Sequence, residues 1–101
     1  GSGNTMAGAI FLTSGTSNSG SSGVIELKTA DGLTASNDDG IGSGNITLQT
    51  GSAPAGSAGQ IRLSVGASFS GSGGAVVLKA GATDSADFSG GSVILQAGTS
   101  A

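Results

Sequence analysis

The sequence predicts an all-β chain folded as a parallel β-solenoid of six short rungs. Three observations carry the prediction. One phrase recurs six times, as Gly, any residue, Ile or Val, any residue, Leu, any residue, a small residue, then Gly or Ala. Apolar and other residues alternate within it at period two, the pattern of a half-covered strand. The phrase leucines, Leu12, Leu27, Leu48, Leu63, Leu78 and Leu95, are spaced by 15, 21, 15, 15 and 17 residues. Fixed-period repetition is the mark of a stacked array.

The rungs fall near 7–18, 22–39, 43–55, 58–70, 73–89 and 90–101. The first carries Ile10, Leu12 and Ser14 on one face, with Phe11 and Thr13 on the other. The second repeats this with Ile25, Leu27 and Thr29 against Glu26 and Lys28, and the third with Ile46, Leu48 and Thr50 against Thr47 and Gln49. The fourth has Ile61, Leu63 and Val65 against Arg62 and Ser64. Val76, Leu78 and Ala80, then Val93, Leu95 and Ala97, complete the series. Glycine stands four residues before each leucine, at Gly8, Gly23, Gly44, Gly59, Gly74 and Gly91. Those sites suit corners that need positive φ or close backbone approach. So much glycine with so many β-branched residues argues against helix.

The stretches between phrases, such as "TSNSGSS" and "SAPAGSA", are about half of each 15-residue repeat. A parallel crossover helix needs about a dozen residues. The returns therefore read as extended or turned chain. In a stack, Leu63 lies between Leu48 and Leu78, and neighbouring coils sit about 4.8 Å apart. "DGLTASNDDGIG" and "ATDSADFS" lengthen two returns. Leu33, Ile41, Phe69 and Phe88 are expected to tuck back onto the coil. An antiparallel β-sandwich or meander is the alternative arrangement of the same strands.

Composition narrows the function. Three Lys and Arg among 101 residues, at net charge −3, make no basic patch for nucleic acid. There is no Cys for a disulfide or thiolate site and no His for a general base. Serine is plentiful without a partner to activate it, so no enzyme and no cofactor are expected. No apolar run reaches the roughly 18 residues of a membrane span. The first residue is Gly1 rather than Met, and the expectation is a piece of a longer array.

Asp31, Asn37, Asp38 and Asp39 gather in the longest return, where oxygen ligands could hold Ca²⁺. The same residues are ordinary turn formers, and the repeated Gly-Gly-x-Gly-x-Asp frame of calcium-binding rolls is missing. No metal is therefore expected. Asn45-Ile46-Thr47 is an N-glycosylation sequon. Phe11, Val93 and Ile94 put apolar surface at the first and last phrases, which carry neither Pro nor charge. Those phrases are the expected self-association surface, end to end or with neighbouring repeats.

The frame resembles the rungs of secreted β-solenoid surface proteins, such as the filamentous-haemagglutinin-type adhesins. It also resembles the Gly/Ser-rich repeat arrays of large extracellular proteins. The resemblance implies an extracellular or cell-surface setting and a structural role in a fibre, wall or matrix. There, stacked rungs would form a stiff rod. The alternative function is a binding module, an adhesin stalk or ice-binding solenoid that meets a glycan or another surface ligand.

Overall fold

The computed structural model describes residues 7–33 and 41–101. Among them there is no helix and no strand. The β-solenoid of six rungs is thereby corrected, and the antiparallel alternative with it. The phrases are extended chain without a ladder, and the returns carry short bends and turns. The chain divides into two units, Gly1–Gln49 and Thr50–Ala101.

Surface area makes the same point. The chain, of 9.3 kDa, exposes 10102 Å². A compact monomer of that mass would expose about 5,000 Å², and two separate compact halves about 6,000 Å². No residue among those described forms a buried core. Leu63, expected between two leucine neighbours, is 74 % exposed. Leu33, Phe69 and Phe88 do not tuck back, with Phe69 99 % exposed, and Ile41 is only half covered.

The physical reason lies in the returns. A phrase offers two or three apolar side chains on one side. The Ser, Gly and Ala of a return offer no second apolar layer to close over them. Ordering a glycine-rich backbone costs more conformational entropy than ordering any other. The apolar area available per repeat does not offset that cost.

Order in the first unit is concentrated where one phrase ends and the next begins. The Ser14 hydroxyl donates to the Gly23 carbonyl at 2.8 Å, and the Gly23 N–H donates to the Gly15 carbonyl at 3.0 Å. Within that return, Ser17 Oγ accepts from the N–H groups of Ser19 at 3.3 Å and Gly20 at 2.9 Å. This is the serine turn that competes with regular structure. The longer return closes alike, with Thr29 Oγ1 donating to the Gly44 carbonyl at 3.1 Å. Just inside it the backbone draws in again. A Cβ on Gly32 would lie 2.8 Å from the Ile41 carbonyl oxygen, so this close approach requires glycine.

The second unit repeats the device. Thr50 Oγ1 donates to the Gly59 carbonyl at 3.4 Å. Between them the Ala53 carbonyl accepts from the Gly56 N–H at 3.5 Å across Pro54. Proline there pre-sets the φ of a turn's second residue. Val65 approaches Gly74 closely, and Ser68 Oγ donates to the Ser72 carbonyl at 2.9 Å inside that return. The last return closes with the Gly91 N–H on the Gly81 carbonyl at 2.8 Å. Inside it, Thr83 Oγ1 accepts from the Ser85 N–H and Ser85 Oγ from the Asp87 N–H, both at 3.2 Å.

Candidate self-association surface

The five closures share one rule. The residue two past a leucine meets the glycine four before the next leucine. The pairs are Ser14 with Gly23, Thr29 with Gly44, Thr50 with Gly59, Val65 with Gly74 and Ala80 with Gly91. Their separations follow the return lengths, nine residues in the short returns and more in the two lengthened ones. A stack of rungs needs like residues to meet fifteen apart in the short repeats. The chain instead pinches each return into a closed loop. A small side chain at the phrase end permits this, and the hydroxyl of Ser or Thr adds a hydrogen bond. The glycines after the leucines, such as Gly51 and Gly66, face open space, and of those before, Gly44 and Gly59 would bring a Cβ only into ordinary contact, at 3.7 and 3.8 Å.

Each closure forms a neck, and the apolar residue two past a neck is partly covered. Ile25, Ile46, Ile61, Val76 and Val93 follow a neck by two residues and are 48–56 % exposed. Ile10, with no such return before it among the described residues, is 97 % exposed. That half-coverage stabilises each neck by on the order of 1 kcal/mol. The leucines gain nothing comparable, at 62–83 % exposed. The result is a chain that displays a leucine at each phrase, with a half-covered Ile or Val beside it in every phrase after the first.

Of the residues singled out by sequence, Phe11 belongs to the first unit and Val93 and Ile94 to the second. Phe11 and Ile94 stand almost wholly in water, and Val93 is half covered by its neck. Asp31 pairs with the Lys28 ammonium at 3.3 Å, three residues back on an exposed surface. Such a pair is worth about 0–1 kcal/mol. Asn37, Asp38 and Asp39 lie outside the described residues. No group of three His, Cys, Asp or Glu side chains that could hold a metal forms among the described residues. No helix among them is long and apolar enough to cross a membrane.

The neck residues Ser14, Thr29 and Thr50 were not singled out as a site. Their signal is the small residue at a constant place in each phrase, which the strand reading absorbed as part of a covered face. Electrostatics leave the phrases open to one another. Those at Gly8–Gly15, Gly44–Gly51 and Gly91–Gly98 carry no charge at all. Compared with known proteins, the chain matches no family model, no curated protein and no solved structure.

Proposed function

We propose that the chain is a structural repeat segment of an extracellular or cell-surface fibre, wall or matrix protein, and that its phrases associate with those of further copies or neighbouring repeats. One observation carries this reading. Six near-identical phrases hold their large apolar side chains in water, each at least 48 % exposed among the described residues. Apolar surface of that extent is a contact surface waiting for a partner. A second copy is the occupant that the repetition favours, because any phrase meets its own frame in any other. The uncharged first and last phrases add no repulsion to that contact. The extended backbone brings unpaired N–H and C=O groups to it as well. The stiff rod of stacked rungs within one chain gives way here to contacts between chains.

The test is light scattering and electron microscopy across a concentration series, with Val93→Lys as the control. The expected result is concentration-dependent assembly that the lysine variant weakens. A chain that stays monomeric at high concentration, with Val93→Lys no different, would sink the reading.

A further inference from the structure

We infer that Asn45 is the acceptor of an N-linked saccharide, attached to the first unit at the neck of its longest return. The chain has four asparagines, Asn4, Asn18, Asn37 and Asn45. Two residues after them stand Met6, Gly20, Asp39 and Thr47, so only Asn45 is followed by the required hydroxyl, with Ile46 rather than Pro between. In an extended chain, side chains two apart lie on the same side. A transferase must read both the Asn45 amide and the Thr47 hydroxyl, and an extended chain can offer them together.

The structure supplies access. A transferase must draw the acceptor backbone into its own site, which a paired strand or a helix resists. Residues 45–47 lie in neither, and all three are exposed. Among the described residues, no hydrogen bond holds the side chain of Asn45 or Thr47. The nearest tie is on the residue before, where the Gly44 carbonyl accepts from Thr29 Oγ1 at 3.1 Å. That contact fixes the start of the phrase and leaves the acceptor side chain free.

The step uses a lipid-linked saccharide pyrophosphate as donor. Its C1–O bond to the pyrophosphate breaks as Asn45 Nδ2 forms the new C1–N bond. The displaced amide proton passes to a base of the transferase, and the lipid pyrophosphate leaves with the electron pair. In the cell this rests on the extracellular reading above, because the chain must pass the transferase on its way out. The acceptor chemistry itself can be read on the purified full chain.

The experiment incubates that chain with an oligosaccharyltransferase and a lipid-linked oligosaccharide, and reads intact mass. The expected gain is one saccharide per chain, removed by peptide N-glycosidase with Asn45 converted to Asp. Asn45→Gln and Thr47→Ala should gain nothing, and Thr47→Ser should keep the gain. No gain on the full chain, or a gain that persists in Asn45→Gln, overturns the assignment. A chain that accepts the saccharide in the tube but is bare when isolated from its source supports the acceptor and counts against the extracellular reading alone.

Discussion

Leu63, the side chain that a buried ladder would have needed most, stands three-quarters in water, at 74 % exposed. A Leu→Ala change inside a packed core costs about 2–5 kcal/mol. A surface change usually falls within about 0.5 kcal/mol. In dilute solution Leu63→Ala is therefore expected to behave like Ser64→Ala, with chemical-shift changes confined to its sequence neighbours. Shifts that spread to Leu48 and Leu78 would restore the ladder. At the same scale, Asp31 already has Lys28 as its partner at 3.3 Å. Titrating calcium into the chain should move the Asp31 signals no more than an equal ionic strength of sodium chloride does. A saturable shift would show a bound ion. Alternation at period two predicted strands, and the described residues form none. It carried no information on whether a second surface exists to cover the apolar side.

The necks are the element at which sequence and structure part. A repeat of fifteen residues divides equally well into one coil or into an eight-residue phrase plus a seven-residue return pinched shut. Spacing alone cannot say whether Gly23 meets Gly8 or Ser14. The glycine frame was legible, but at Gly44 and Gly59 a Cβ would meet only ordinary contacts, at 3.7 and 3.8 Å, and the close approach that requires glycine is at Gly32, outside the frame. There a Cβ would come within 2.8 Å of the Ile41 carbonyl oxygen, whereas at Gly42 it would meet nothing within 4 Å. Gly32→Ala should then open the inner neck and abolish nuclear Overhauser contacts between residue 32 and Ile41. Gly42→Ala should leave them in place. Equal effects from the two would remove the inner neck from the account. Thr50→Val keeps the shape of the side chain and removes its hydroxyl. It should cost the neck to Gly59 no more than about 1 kcal/mol, read as weaker nuclear Overhauser contacts between residue 50 and Gly59. Unchanged contacts would mean that the hydroxyl at 3.4 Å holds nothing.

For the molecule as a whole, the missing quantity is apolar cover. Composition showed it early, in 21 glycines and three aromatics. The regularity of the phrases pointed the other way, to a core each chain could close on itself. The exposed area of 10102 Å² sides with composition. If the phrases are contact surfaces between copies, order should arrive with concentration and in the phrases first. Hydrogen exchange on dilute and concentrated samples of the same chain tests this most directly. The account predicts fast exchange throughout the dilute chain, then protection in the six phrases and not in the returns as concentration rises. Strong protection of the phrases already in the dilute chain, or none in the concentrated one, would contradict it.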